Sequence, residues 1–353
     1  MNRVLLQEPR LLIEVSKLPD EKYDTIVIGG GPAGCSAALH LAYHKRNVLV
    51  LDRGTSPMAY HTNTIMNFAT GDAYHEGRSL LRNLQGAASS AGAEFKEANV
   101  TELTGEYPDF TVSTEPSYRT KDEDVYQAKT LVFATGTARK HPQVGGFWRN
   151  WLSVANVGNG AFYCPDCEAP LCKGKDVIVV NAGTVGSALH VANSLSRFTD
   201  QIRILMTEDA YIPFEDQDLS KLDDSPFEWM HGKIKKIEFP RPGEFQRITL
   251  ENGESYRCEV FFVAHVAEPR SELARHLGVE VDERGNIITD HRGKTNLEGI
   301  WAAGDVRPIT QQVAMATGTG NYAALMINQF LGNKYEKEEL FDHPECRNIL
   351  HLT

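Results

Sequence analysis

No stretch of the 353-residue chain approaches the run of about eighteen apolar residues that a membrane-spanning helix needs. Cysteine is scarce, six in all, too few for the stapled frameworks of secreted domains. The first twenty residues interleave charge with apolar residues and offer no continuous signal-peptide core. These absences predict a cytoplasmic protein without evident membrane association. Positive charge is also in deficit, 36 Lys and Arg against 47 Asp and Glu for a formal net charge of -11. That balance disfavours electrostatic binding to nucleic acid or anionic lipid. What is present is a hydrophobic content of 41%, enough to bury the cores of about two domains. A short apolar arm, with Val4-Leu5-Leu6 and Leu11-Leu12-Ile13, is expected to pack on the chain's own core.

Two of the cysteines carry a chemical signature. In Cys164-Pro165-Asp166-Cys167-Glu168 the thiols stand close enough in sequence to cycle between dithiol and disulfide. Zinc is the alternative, with Cys172 as a third thiolate, but no fourth ligand follows at knuckle spacing, so no metal is predicted. Cys35 and Cys258 fall in helix-like and strand-like apolar runs and are expected in the core. Cys346, in a polar tail, receives no role.

Near the start, strand, glycine turn and helix follow in order. Tyr23 to Ile28 reads as a buried strand, Gly29-Gly30-Gly31-Pro32-Ala33-Gly34 as the turn, and the Ala/Leu-rich run from Cys35 to Ala42 as the helix. Gly29 permits the tight turn, Gly31 lets backbone approach a pyrophosphate, and Gly34 lets helix and strand pack closely. Pro32 and Ala33 open the helix, whose N-terminus faces the anion. Asp52, 21 positions beyond Gly31, closes the next strand, where its carboxylate can accept from an adenosine ribose; Arg53 follows at the same edge. A bound dinucleotide is predicted.

A second turn follows the cysteine pair, Asn181-Ala182-Gly183-Thr184-Val185-Gly186, with Asn181 where the first glycine is expected. Gly183, Thr184, Val185 and Gly186 are its phosphate-facing candidates. Glu208, after the strand Gln201 to Met206, is placed to accept a ribose 2′-OH. The carboxylates of Glu208 and Asp209 would repel a 2′-phosphate. The expected occupant is therefore an unphosphorylated ADP group: NADH, a second FAD, or nothing. Tyr211 stands where it could cover a stacked ring.

Two further turns complete the pattern, Ala134-Thr135-Gly136 and Ala303-Gly304-Asp305. Both resemble signatures of two-dinucleotide-binding flavoproteins. The order of glycine turn, Ala-Thr-Gly, Cys-x-x-Cys, second turn and Gly-Asp resembles that of low-molecular-weight thioredoxin reductases, from about residue 23 to about 332. The resemblance implies an α/β protein with two Rossmann-like domains, the second inserted in the first. An FAD-binding domain at 20–142 and 266–335 would enclose a nucleotide-binding domain at 143–265 carrying the cysteine pair, with an arm at 1–19 and a tail at 336–353. It implies FAD at the first turn, Thr135, Gly136, Gly304 and Asp305 beside it, and Gln312 and Val313 where a helix end approaches the flavin ring. It further implies that Cys167 lies beside the flavin and that Cys164 exchanges with an outside thiol or disulfide. Glu168, where the family usually has Asp, would shuttle the proton. A homodimer, and a thiol/disulfide protein or small dithiol as substrate, are implied as well.

The departures narrow the branch. The family normally follows its second-domain strand with a His-Arg-Arg run and a further arginine that hold the NADPH 2′-phosphate; here Thr207-Glu208-Asp209 stands instead. The chain is therefore expected to resemble diflavin-linked disulfide oxidoreductases, which carry a second FAD in place of NADPH. Alternatives are a thioredoxin reductase using NADH or ferredoxin, a small-molecule dithiol oxidase using oxygen, and a non-catalytic redox-gated flavoprotein. His61 and His141 fall near the expected flavin-side loops, but with twelve histidines in the chain their position assigns them no role.

Overall fold

A computed structural model describes residues 22–61, 64–69, 76–115, 124–156, 160–238 and 247–332. The expected N-terminal arm, the C-terminal tail and Cys346 lie outside them. Strands β1 (Tyr23–Ile28), β2 (Val48–Asp52), β3 (Glu94–Glu97), β4 (Asn99–Glu106), β5 (Asp109–Glu115) and β6 (Val125–Phe133) form one sheet in the order β3-β2-β1-β6-β5-β4. The first three and β6 run parallel, while β4 and β5 fold back antiparallel. The parallel strands read as nearly continuous aliphatic runs because both of their faces are covered. Ile26, Ile28, Leu49, Leu51, Leu131 and Phe133 enter the core on one face. Val27, Val48, Val50 and Val132 enter it on the other, against Ala33, Ala37, Ala38 and Leu41 of helix α1 (Pro32–Tyr43). Helix α2 (Gly77–Ala91) packs beside α1.

After β6 the chain crosses on Thr137–Arg139 to a second sheet and returns on Ala267–Pro269, and these two crossing segments pair antiparallel. The second sheet is parallel throughout. It contains β7 (Ala161–Phe162), β8 (Val177–Asn181), β9 (Ile202–Met206), β10 (Glu228–His231) and β11 (Val260–Ala264), in the order β10-β9-β8-β11-β7. A short helix α3 (Pro165–Glu168) carries the cysteine pair. Helix α4 (Val185–Leu195) fills one face of the sheet with Val185, Ala188, Val191 and Leu195. The other face packs Trp151 and residues of an antiparallel unit, Ile234, Ile237, Ile248 and Leu250.

On its return the chain adds β12 (Ile300–Ala302), parallel to the second half of β6, whose first half pairs with β5. Helix α5 (Val313–Phe330) then lies across α1, and a side chain at Gly320 would meet the Ala33 carbonyl oxygen at 2.1 Å. The architecture is the expected α/β arrangement of two Rossmann-like units, the chain of one interrupted by the other.

Candidate active site

The first glycine turn is tight at two positions and open at one. Gly29 adopts φ +107°, and a side chain there would meet the Ala134 carbonyl oxygen at 2.4 Å. At Gly34 a Cβ would fall 1.9 Å from the Gly29 carbonyl oxygen, so α1 seats directly on the end of β1. At Gly31 a Cβ would meet only Ser56 Oγ, at 3.7 Å. Pro32 takes the first helical position, where a missing N–H is no loss. The N–H groups of Gly31, Ala33 and Gly34 have no acceptor among the described residues. Asp52 accepts from the N–H groups of Gly30 and Gly54, which fixes its carboxylate beside the turn. Arg53 is exposed, and its Nε donates to Thr55 Oγ1 at 2.8 Å.

The other two turns close around this one. Thr135 Oγ1 donates to the Arg270 carbonyl at 2.6 Å, and Arg270 N–H donates to the Gly136 carbonyl at 3.0 Å, so Ala-Thr-Gly clamps the crossing segments. Gly304 lies against α1, where a Cβ would meet Ala33 Cβ at 2.7 Å, and its N–H donates to Thr319 Oγ1 of α5 at 2.9 Å. Asp305 Oδ1 is buried with no hydrogen-bond partner among the described residues. Burial raises the Asp305 pKa from 3.8 to about 6, opposed by the charge of Arg139. A buried acceptor left unpaired costs about 1–3 kcal/mol, and a ribityl hydroxyl would satisfy it. Unclaimed amides, the open approach at Gly31 and the orphaned Asp305 oxygen all suit FAD, so the residues present fit that group.

Cys164 and Cys167 form a disulfide with Cα atoms 5.3 Å apart. Pro165 starts α3, and the N–H groups of Cys167 and Glu168 return to the Cys164 carbonyl at 3.2 and 3.0 Å. The disulfide meets Gln312, the residue before Val313 at the start of α5. Gln312 Nε2 lies 3.4 Å from Cys164 Sγ, and its Oε1 lies 3.5 Å from Cys167 Sγ. Asn67 Nδ2 donates to the same Oε1 at 2.7 Å and holds the amide in place.

Behind the disulfide, Glu168 is 5% exposed, and its Oε2 accepts from Cys164 N–H at 3.4 Å. His61 Nε2 lies 3.7 Å from Glu168 Oε1, with the imidazole 31% exposed. Burial first, and the charge of Arg139 second, lower the His61 pKa to about 4, so the ring is neutral near pH 7. Arg139 Nε is buried without an acceptor among the described residues, and its guanidinium carbon lies 5.4 Å from the Tyr163 ring centre. Tyr163 OH accepts from Trp151 Nε1 at 2.9 Å and lies 2.7 Å from His141 Nδ1. Burial and, after it, the charge of Arg139 lower the His141 pKa, which favours the neutral ring. His265 stands edge-on to Tyr163, ring centres 5.6 Å apart, and burial followed by Arg139 lowers its pKa to about 4. Motif reading reached His61 and His141 only by position and missed Arg139, Tyr163, His265 and Asn67. The usable signals were Tyr163 directly before Cys164 and Arg139 shortly after the Ala-Thr-Gly turn. Cys35, Cys172 and Cys258 are buried and free.

The turn after β8 departs from the cradle expected of it. At Gly183, the counterpart of Gly31, a Cβ would fall 2.9 Å from Ser187 Oγ and 3.1 Å from both the His265 carbonyl carbon and Val266 Cγ2. Gly183 N–H donates to Asn181 Oδ1 at 3.0 Å. Thr184 N–H donates to Ser187 Oγ at 2.9 Å, and Ser187 N–H returns to Thr184 Oγ1 at 3.1 Å, a capping box that closes the start of α4 on itself. Val185 and Gly186 follow as the first helical residues. Glu208, expected on a ribose, is ion-paired with Lys233 at 2.9 Å. Asp209 Oδ2 accepts from Gln143 N–H at 2.9 Å, and Tyr211 N–H donates to the Ala182 carbonyl at 3.0 Å with its ring 47% exposed. For a second FAD or for NADH the turn is narrowed at its first two positions, where Asn181 and Ser187 take the Gly183 and Thr184 amides, while the amides of Val185 and Gly186 have no acceptor among the described residues.

Among the described residues no helix is long and apolar enough to cross a membrane. Residues 23–320 match the family model described as pyridine nucleotide-disulphide oxidoreductase. The thioredoxin reductase of Listeria monocytogenes is 29% identical over 329 residues, covering 90% of this chain and 96% of that protein. The thioredoxin reductase of Bacillus subtilis is 27% identical over 323 residues, covering 89% and 96%. The crystal structure of thioredoxin reductase from Streptococcus pyogenes shares the fold, with a TM-score of 0.74 at 24% identity, covering 88% of this chain and 98% of that one. With its disulfide seated against Gln312 at the start of α5, the chain belongs to the pyridine nucleotide-disulphide oxidoreductase family as a thioredoxin reductase-like, flavin-dependent thiol-disulfide oxidoreductase.

Proposed function

We propose that the chain binds one FAD at the first glycine turn and exchanges electrons with an outside dithiol or disulfide through Cys164 and Cys167. The observation that carries this reading is the seat of the disulfide on Gln312, at the N-terminal end of the helix that packs on α1. Residues 20–142 and 266–335 are taken as the FAD-binding unit and 143–265 as the insert. Gly31, Ala33 and Gly34 would hold the pyrophosphate with their amides, Asp52 the adenosine ribose and Asp305 the ribityl chain. FAD, when bound, would supply a two-electron acceptor for the disulfide. Cys164 meets the outside thiol, and Cys167 is its partner on the flavin side. Glu168, buried against the Cys164 amide, takes and returns the proton that accompanies thiol exchange. The helix dipole at the start of α5 favours negative charge developing there.

The missing arginines and Glu208 favour an unphosphorylated ADP group in the insert, a second FAD among them, whereas Asn181 and Ser187, which take two of the turn's amides, and Val266, which crowds Gly183, disfavour either dinucleotide. One FAD per chain is therefore the reading the geometry supports best, with a thiol protein or small dithiol as the partner. Two measurements test it. FAD released by denaturation from saturated protein is expected at one per chain; two would overturn the single-flavin reading. Anaerobic dithiothreitol is expected to bleach the flavin of the native protein and to leave that of Cys167→Ser oxidised; equal bleaching in both would overturn the disulfide relay.

A further inference from the structure

We infer that His61 carries protons between the Glu168 carboxyl group and solvent during thiol exchange at Cys164 and Cys167. This rests on the proton role given to Glu168 above. A carboxyl group that is 5% exposed can serve repeated turnovers only if its proton has a way out, and the structure brings a half-exposed imidazole to one of its oxygens. Glu168 Oε2 faces the Cys164 amide at 3.4 Å, and Oε1 faces His61 Nε2 at 3.7 Å. The second separation is roughly 0.7 Å beyond an ordinary hydrogen bond, a gap that a small ring movement or one bridging water closes.

The imidazole is held where this relay needs it. A side chain at Gly77 would fall 2.7 Å from His61 Cβ and 2.8 Å from its Cδ2, so the start of α2 makes room for the ring by carrying no side chain there. The His61 carbonyl accepts from Arg78 N–H at 3.1 Å, which fixes the backbone. The charged groups acting on the ring are Glu168 from α3 and Arg139 from the first crossing segment, while α2 offers only backbone at Gly77 and Arg78. Burial and, after it, the Arg139 charge keep the imidazole neutral, so a proton received from Glu168 is passed on to water and not retained. His61 thus joins the interior acid to the surface.

The exchange balances without any further reactant. A substrate thiolate attacks Cys164 Sγ, the disulfide of the chain breaks, and Cys167 leaves as a thiolate. The second substrate thiolate attacks the substrate sulfur of the mixed disulfide, a disulfide closes in the substrate, and Cys164 leaves as a thiolate. Two electrons pass from substrate to the chain. The two protons lost by the substrate thiols are delivered to the two cysteine sulfurs, one of them through His61 and Glu168.

The test follows the thiols of the chain themselves. Oxidised holoenzyme is mixed rapidly with dithiothreitol, quenched in acid and alkylated, and reduced Cys164 and Cys167 are counted by mass spectrometry. Glu168→Gln and His61→Ala are each expected to slow the appearance of these thiols by about 100-fold, the double variant being no slower than the slower single. Added imidazole is expected to restore the rate of His61→Ala and to leave Glu168→Gln slow. A slow Glu168→Gln with His61→Ala and His61→Gln at the native rate would overturn the relay and leave the Glu168 role standing. Glu168→Gln at the native rate would overturn both. A slow His61→Ala that imidazole does not restore, with His61→Gln at full speed, would make His61 a packing residue and overturn the inference. Flavin content and thermal midpoint of each variant identify one that has not folded.

Discussion

Gln312 reaches from the start of α5 to Cys164, its Nε2 3.4 Å from the sulfur, so one amide joins the first unit to a disulfide carried by the second. The same side chain brings Oε1 within 3.5 Å of Cys167 Sγ. In the disulfide state the amide can donate to Cys164; once the pair is reduced, Oε1 can accept from the Cys167 thiol. The amide thus has a group to offer a cysteine sulfur in either redox state.

Gln312→Leu keeps the size of the side chain and removes both partners. It is expected to leave FAD content unchanged and to slow bleaching by dithiothreitol by about tenfold, the loss of roughly one hydrogen bond at the docked disulfide. Stopped-flow absorbance of the flavin checks it. A native rate would mean that docking of the two units does not depend on this amide.

The first turn separates folding from binding at two glycines three residues apart. Gly34→Ala places a Cβ 1.9 Å from a backbone oxygen, and α1 must lift off β1 to admit it. Overpacking of this kind costs about 1–3 kcal/mol or more, so the variant is expected to melt several degrees lower and to lose FAD. Gly31→Ala meets only Ser56 Oγ at 3.7 Å and is expected to keep its melting point when flavin-free while binding FAD more weakly, because the methyl group occupies the approach to the amides. Thermal melts of flavin-free protein and FAD titration distinguish the two.

These two glycines also show how far the sequence could be read. The first turn was legible because strand, turn, helix and Asp52 are all local, and each follows from backbone reach and side-chain size. The disulfide was legible for the same reason. The second turn carried glycines at matching positions and read as a cradle. Its closure depends on Val266 and His265, more than eighty residues away and brought over Gly183 by the pairing of β8 with β11. Glu208 read as a ribose ligand because Lys233 reaches it only through β9 and β10 lying side by side. Arg139, Tyr163 and His265 gather around the cysteine loop from three strands, and no periodicity or spacing announces such a cluster.

Asp305 makes a prediction about pH. Its carboxyl pKa is raised by burial to about 6 from 3.8, so the folded flavin-free chain favours the protonated acid. For a raised pKa, the contribution to stability is fully present below the unfolded value and is lost as pH rises through the folded one. Flavin-free protein is therefore expected to lose on the order of 1–3 kcal/mol between about pH 4 and about pH 6 from this group, partial exposure tempering the shift. Asp305→Asn removes that loss. The variant and the native chain should melt together at pH 4, with the variant melting higher at pH 8; a gap that is constant with pH would assign the effect to packing. With FAD bound the order at pH 8 should reverse, because the native carboxylate then has a hydroxyl partner.

The closed second turn makes the last prediction. If Asn181, Ser187 and Val266 are what keep a dinucleotide out, native protein should show no flavin bleaching with NADH or NADPH under anaerobic conditions, and the turn should open when the blocking groups are removed. Asn181→Gly frees the Gly183 amide, and Val266→Gly clears a methyl group that stands 3.1 Å from where a Gly183 side chain would lie. The one recovered amide contributes about 1–1.5 kcal/mol to an anion, so the double variant is expected to bind NADH roughly 5- to 10-fold more tightly than the native chain. NADPH should gain less, because Glu208 and Asp209 stand near the position of its 2′-phosphate and no arginine takes the place of Lys233 there. Quenching of protein fluorescence by each nucleotide measures both affinities. Tight NADH binding by the native chain would show that the capping box at Thr184 and Ser187 opens readily and that the insert retains a nucleotide role.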